Sequence, residues 1–293
     1  MSAAAPLRIA IGDYPHTRGL KEGRIAEPAL ALEFVEVKPM NKAFKPMVRQ
    51  LAYDASEMAL VTYLQARAYG KDIALLPAAM LGRFQHHCML FNAERGTLRP
   101  GDLAGKRIGV RSYSQTTAVW LRGILQNDYD IDMNSVRWIT YEDGHVAEAI
   151  DPPFAERAPA GSDMTKMLID WEIDAAIYGA AMPDDARLQS VVPDPHAAAQ
   201  AWYRKHGVVP VNHMVVVKGE LARQQPETVA KLYRLLEAGK AAAGPQLEGG
   251  VDTVPFGKDA NRACLEMLIG YAVQQQLIPR RLTVNELFDI PNG

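Results

Sequence analysis

The sequence predicts an α/β protein of two lobes, on three observations. Short apolar runs of strand length alternate with helical periodicities along the chain, the pattern of a mainly parallel sheet. One strand–loop–helix unit, residues 102–120, places Ser112, Ser114, Gln115, Thr116 and Thr117 where a helix begins. A late apolar run, residues 208–217, returns the chain to a sheet after a second set of strands. The first lobe is therefore expected to be discontinuous, residues 1–92 plus 215–293, and the second to span 93–214. A ligand cleft is expected between them, beyond the carboxyl ends of the strands.

The elements follow in order. Residues 7–12 read as the first strand, 13–22 as a polar loop and 30–37 as a second strand. Residues 44–51 and 63–69 are helical, joined through a short stretch, 53–58, that is polar at its centre. Strands are expected at 73–78 and 88–92. In the unit at 102–120, residues 106–110 carry a buried strand, and Ala118, Leu121, Ile124 and Leu125 continue at helical spacing. Residues 136–141 form another strand. Pro and Gly punctuate 151–161 as loop, and a helix at 164–171 leads into an EIDAAI strand. Residues 226–243 read as a strong helix, with Pro226 at its start and Val229, Leu232, Leu235 and Leu236 on one face. A further helix is expected at 263–277.

Composition sets the bounds. The chain has 293 residues, 48% of them hydrophobic, with a net charge of −2, enough for a full core. No basic stripe with interleaved aromatics occurs, so nucleic acid is not an expected partner. No apolar run approaches the ~18 residues that span a bilayer, so no membrane partner is expected. Residues 1–8 pass into a strand without a basic segment followed by an apolar one, and a cytoplasmic location is expected. Cys88 and Cys264 could form one disulfide, but with no export signal read a reduced pair is expected, and neither sits in a Cys-x-x-Cys pattern, which argues against zinc-ribbon and redox readings. Composition is compatible with a homo-oligomer.

The loop at 112–117 has two readings. Ser and Thr are ordinary helix caps, and most capped helices bind nothing. A helix start also offers unpaired N–H groups and partial positive charge to a carboxylate or phosphate. The segment DLAGKRIGV (102–110) with its Ser/Thr-rich helix start is similar to the opening of the second lobe of type II periplasmic-binding-protein-like folds. In those folds this helix start meets the ligand's anionic group.

Several further segments together resemble one family, the 4,5-dihydroxyphthalate decarboxylases. They are DYPHTRGLKEGRI (13–25), YDASEMALVTYL (53–64), RFQHHCMLFN (83–92), GKRIGVRSYSQTTAVWLRGILQNDY (105–129) and NHMVVVKGEL (212–221). The resemblance covers nearly the whole chain. Three departures bear on substrate more than on fold. Gln85 stands where the family has Arg, Cys88 follows the His pair where a small aliphatic is usual, and residues 138–150 lack an expected Gly-Gly.

The resemblance implies loss of CO2 from a hydroxylated aromatic acid without an organic cofactor. Each ring hydroxyl of 4,5-dihydroxyphthalate is para to one carboxylate, so deprotonating it pushes electrons toward the carbon that loses CO2. Such a site needs cations or helix amides for two carboxylates, a base at the hydroxyl and an acid at the ring carbon. Arg18 and Arg83 are candidates for one carboxylate, and the helix start at Ser112, Ser114, Gln115, Thr116 and Thr117 for the other. Glu57, His86 and His213 are candidates for proton transfer, and Glu142 for accepting a hydrogen bond from the catechol.

Blander readings stand beside these. Arg83 suits a surface ion pair, and Glu57 suits the first turn of a helix. His86 and His87 would face opposite ways on a strand, so at most one reaches a site. His145, His196 and His206 sit in loop-like context and are expected to be solvated. No H-E-x-x-H-like spacing exists, so no metal is expected. The rival class is a solute-binding protein of a transporter, for an aromatic or small anionic ligand. A binder needs Arg and helix amides but no acid/base pair. Another small-molecule lyase on the same fold is a third reading.

Overall fold

The computed structural model describes residues 5–291, so the start of the N-terminal stretch read for a leader lies outside the described residues. The strands, in chain order, are β1 (Leu7–Ala10), β2 (Leu32–Phe34), β3 (Ala55–Ala59), β4 (Ile73–Gly82), β5 (Met89–Asn92), β6 (Arg107–Val110), β7 (Arg137–Thr140), β8 (Ala155–Arg157), β9 (Ala175–Ile177), β10 (Leu188–Ser190), β11 (Val211–Lys218), β12 (Leu247–Glu248) and β13 (Val251–Asp252). The helices are α1 (Pro15–Lys21), α2 (Phe44–Gln50), α3 (Leu60–Ala68), α4 (Thr116–Asp128), α5 (Met164–Ile169), α6 (Pro195–His206), α7 (Gly219–Gln224), α8 (Pro226–Ala243), α9 (Lys258–Gln274) and α10 (Val284–Phe288).

Two mixed sheets build two lobes. The first has the order β2-β1-β3-β11-β4, with β1 parallel to its neighbours and β11 antiparallel to both of its own. The second has the order β10-β5-β9-β6-β7-β8, parallel through β9, β6, β7 and β8. No helix is long and apolar enough to cross a membrane among the described residues.

Strand pairing moves the predicted lobe boundaries. β5 pairs with β9 and β10 in the second sheet, so the chain crosses between Gly82 and Met89 rather than after residue 92. The return falls before Val211, because all of β11 pairs in the first sheet. The C-terminal stretch is also shared between lobes. α9 packs on α4 so closely that a Cβ on Gly123 would lie 2.1 Å from the Tyr271 ring, and Tyr271 meets Trp120 edge-on at 5.7 Å. One apolar cluster accordingly runs through both lobes, from Phe44 and Leu64 to Trp120, Trp138 and Leu268. A second cluster seats α8 on the first sheet through Leu232, Leu235 and Leu236.

Residues 53–58 hold the largest local surprise. Residues 55–59 form β3, an interior strand with all five residues buried. The apolar run is broken by Ser56 and Glu57, which hides the strand. Both polar groups are satisfied in place: Ser56 Oγ donates to the Glu57 carbonyl, and the Glu57 carboxylate accepts three hydrogen bonds.

Candidate active site

A cavity of about 490 Å3 opens between the lobes. Loops after β1 and β4 and the starts of α3 and β11 supply one wall, and loops after β6, β7 and β9 supply the other.

At its base Glu57 and His213 form a pair. Glu57 lies opposite Val215 across β3 and β11, so His213 is its diagonal neighbour on the same face. His213 Nδ1 sits 2.6 Å from Glu57 Oε1. The Tyr14 hydroxyl donates to the same oxygen at 2.7 Å, and Gly12 N–H donates to Oε2 at 2.9 Å. A Cβ on Gly12 would fall 2.6 Å from the Tyr14 ring, so only glycine lets Tyr14 fold back over the carboxylate. Burial pushes the Glu57 pKa up, but His213, Tyr14 and the Gly12 N–H outweigh it and hold it below the ordinary value. An ionised Glu57 keeps the proton on Nδ1 and leaves Nε2 as a base. Glu57 itself is fully buried behind the cleft wall, whereas His213 and Tyr14 line it.

The pairing register of β11 against β4 shifts on both sides of His213. Such an irregularity re-aims side chains beside a site, and both Asn212 and His213 line the cavity. Asn212 is part of a network at the crossing between lobes. Gln85 Nε2 donates to Asn212 Oδ1 at 2.8 Å, Asn212 Nδ2 to Thr117 Oγ1 at 3.2 Å, and Arg83 Nη2 to Thr117 Oγ1 at 3.0 Å. Gln85, one of the departures noted in the sequence, therefore orients a cleft residue.

Arg83 lines the cleft, and no carboxylate pairs with it among the described residues. Ser112, Ser114, Gln115, Thr116 and Thr117 line it as well, at the start of α4. Neither α4 nor α3 is capped by the side chain of its own N-cap residue, Gln115 or Ala59. Both helix starts reach the cleft, and Thr116 Oγ1 accepts from Val61 N–H where they meet. Arg83 Nε and Gln115 Oε1 are buried without a hydrogen-bond partner. Glu142 stands at the mouth, 55% exposed, with Oε2 bound to Arg111 Nη1 at 2.7 Å.

Two predicted site residues lie elsewhere. Arg18 is exposed on α1 and is not on the cleft wall. His86 is buried against Trp202 at 6.1 Å, and neither ring nitrogen has a partner. Neither it nor His87 lines the cleft, since the chain between Gly82 and Met89 is a crossover whose inward side packs on α6. Glu57 is on a strand, not in a helix turn. His145, expected to be solvated, lines the cleft together with Arg111, Thr62 and Tyr178. The signal for Asn212 was available as a polar pair interrupting an apolar strand. Nothing local marked His145. Among the described residues no three His, Cys, Asp or Glu side chains gather as metal ligands.

Burial pushes the pKa of both His16 and His86 down to about 4. The unfolded chain therefore binds protons below the ordinary value of 6.5 that the folded chain refuses. Stability from this source is intact above that value and is lost as pH falls toward 4, by about 1.4 kcal/mol per pH unit for each ring. Denaturant unfolding between pH 7 and pH 5 should show this slope. His86→Met should remove about one proton from it without changing turnover, and an unchanged slope would contradict a neutral buried His86.

No protein-family profile matches the chain. Among solved structures it is similar to an alkanesulfonate-binding protein of Xanthomonas axonopodis pv. citri, at TM-score 0.57 and 14% identity over 98% of this chain and 99% of that one. It is also similar to a periplasmic aliphatic sulphonate binding protein of Escherichia coli, at TM-score 0.56 and 13% identity over 97% of each. These likenesses show the two-lobed periplasmic-binding-protein-like fold. In sequence the chain is 29% identical over 298 residues to a 4,5-dihydroxyphthalate decarboxylase of Comamonas testosteroni, covering 94% of this chain and 90% of that protein. A 4,5-dihydroxyphthalate decarboxylase of Pseudomonas putida is 30% identical over 211 residues, 68% of this chain and 81% of its own length. By that identity and coverage the chain belongs to the 4,5-dihydroxyphthalate decarboxylase family.

Proposed function

We propose that the chain is a carboxy-lyase that converts 4,5-dihydroxyphthalate, or a closely related hydroxylated aromatic acid, to a protocatechuate-type product and CO2. The observation that carries this reading is the buried Glu57–His213 pair opening into a cleft that also holds Arg83 and the uncapped start of α4. Binding alone would require the cation and the helix start. It would not require a carboxylate-backed imidazole.

Arg83 and the N–H groups at the α4 start hold the two carboxylates. His213 Nε2 takes the proton of one hydroxyl, and Glu57 stabilises the imidazolium that results. The electron pair moves through the ring to the para carbon, which takes a proton from solvent water admitted by the open cleft. The bond to the carboxylate then breaks and CO2 leaves; its electrons restore the ring as a phenolate, to which His213 returns the hydroxyl proton, so a solvent proton has replaced CO2. Glu142 Oε1 is left to accept from the second hydroxyl, since Oε2 is held by Arg111. The free, buried thiols Cys88 and Cys264 suit the cytoplasmic location proposed with this activity.

The test is direct. Purified protein incubated with 4,5-dihydroxyphthalate should release CO2 and protocatechuate together. Tight binding without turnover would favour a solute-binding role instead. Arg83→Ala should weaken substrate by about 30–100-fold, the value of a charge-assisted pair to a carboxylate, with a smaller change in kcat. Unchanged affinity would remove Arg83 from carboxylate binding.

A further inference from the structure

We propose that His145 is a specificity-determining hydrogen-bond donor that recognises the ortho-dihydroxy edge of the substrate; this rests on the reading of the cleft given above. His145 lies on the loop after β7 in the second lobe and reaches across to the first. Its Nδ1 is 2.8 Å from Thr62 Oγ1 on α3. Thr62 Oγ1 has no other hydrogen-bond partner among the described residues, so its O–H goes to Nδ1. The ring proton is then on Nε2, which no protein group engages.

The position is built. Arg49 on α2 donates Nε to the His145 carbonyl at 2.7 Å and Nη2 to the Gly144 carbonyl at 3.2 Å. Lys71 pairs with Glu148 of the same loop at 2.7 Å. Phe44 takes both cleft imidazoles edge-on, His145 at 5.6 Å and His213 at 5.0 Å, so one ring packs against both where the two walls meet. Burial, with the charges of Arg111 and Lys45, pushes the His145 pKa down to about 3. The ring is neutral near neutral pH, so it donates a hydrogen bond and does not deliver a proton.

The two imidazoles therefore differ in chemistry. His213, backed by a carboxylate, is a base. His145, backed by a hydroxyl, is a neutral donor. An aromatic ring with two adjacent hydroxyls suits that pair: one imidazole removes a proton, and the other hydrogen-bonds to the oxygen on which negative charge appears. A ring without hydroxyls gains nothing from His145.

The experiment titrates two ligands, 3,4-dihydroxybenzoate and phthalate, into wild type, His145→Ala and His145→Gln. His145→Ala should weaken the dihydroxy compound by about tenfold or more, the value of a hydrogen bond to a charged group, and leave phthalate within about twofold. His145→Gln, which keeps an N–H donor, should recover part of the loss. Arg49→Ala, which only loosens the loop, should give a milder form of the same contrast. With 4,5-dihydroxyphthalate, His145→Ala should lower kcat more than it raises KM. Equal weakening of both ligands, or of neither, overturns the proposal. Binding of the dihydroxy compound by wild type without turnover of 4,5-dihydroxyphthalate would defeat the decarboxylase reading alone, and the ligand contrast would still decide the role of His145. Wild type that binds neither ligand overturns both.

Discussion

Glu57→Gln should lower kcat by about three orders of magnitude and leave KM within a few-fold, because Glu57 acts through His213 and does not touch substrate. The wild-type carboxylate does two things. It fixes the proton on Nδ1, and it stabilises the imidazolium formed when Nε2 takes the hydroxyl proton. A neutral amide does neither, and it can stabilise the wrong tautomer by donating to Nδ1. His213→Gln should cost about as much, and the double variant little more than either single one, since the two residues form one unit. The substitution also carries a structural cost. Glu57 accepts from Gly12 N–H, Tyr14 O–H and His213, and an amide has one oxygen for those donors. One buried donor left unmatched costs about 1–3 kcal/mol, so unfolding must be measured beside turnover. A folded Glu57→Gln protein with turnover within about threefold of wild type would remove the pair from the mechanism.

What sequence reveals here follows from what is local. α8 is legible to the residue, because Pro226 starts it and a leucine stripe runs along one face. The α4 start is legible because hydroxyl residues meet a helical periodicity directly after a strand. β3 is illegible because two polar residues interrupt it: Ser56 is satisfied by the next carbonyl along the strand, and Glu57 by Gly12, Tyr14 and His213, all far along the chain. Glu57 and His213 are 156 residues apart and meet only because β11 inserts between β3 and β4. Nothing in the local sequence separates His213, which lines the cleft, from His86, which packs behind it on Trp202. Both sit beside apolar runs, and the difference lies in which side of the crossover each occupies. His145 looks solvated because its neighbours, Glu142, Asp143 and Gly144, are loop residues. Its burial comes from Phe44, Thr62 and Arg49 of the opposite lobe. Arg18 and Arg83 look equivalent as isolated cations, and only the lobe crossover brings Arg83 to Thr117.

Arg122→Ala should be among the most destabilising single substitutions in the chain, by about 3–5 kcal/mol. The Arg122 side chain is fully buried in α4. Its guanidinium lies over the rings of Tyr113 at 4.0 Å and Trp138 at 4.9 Å. Nε donates to Gln275 Oε1 at 2.7 Å, and Nη2 donates to the Tyr113 carbonyl. Gln275 in turn donates to the Val119 carbonyl at 2.9 Å, which fastens the end of α9 to α4. Truncation leaves a cavity between two aromatic rings, and it orphans an amide oxygen and a carbonyl. At about 2–4 °C per kcal/mol for a chain of this size, Tm should fall by roughly 10 °C. Arg122→Lys keeps the charge but cannot fork between two acceptors, so it should recover only part of the loss. A double-mutant cycle with Gln275→Ala should give a coupling of about 1 kcal/mol or more, and additivity would break the proposed link from α9 to α4. The effect should also reach the cleft. Tyr113 lies between Ser112 and Ser114 on the cleft wall, so releasing its carbonyl loosens the loop at the start of α4. KM should therefore rise in Arg122→Lys even below its melting range, whereas a purely global loss of stability would leave KM unchanged.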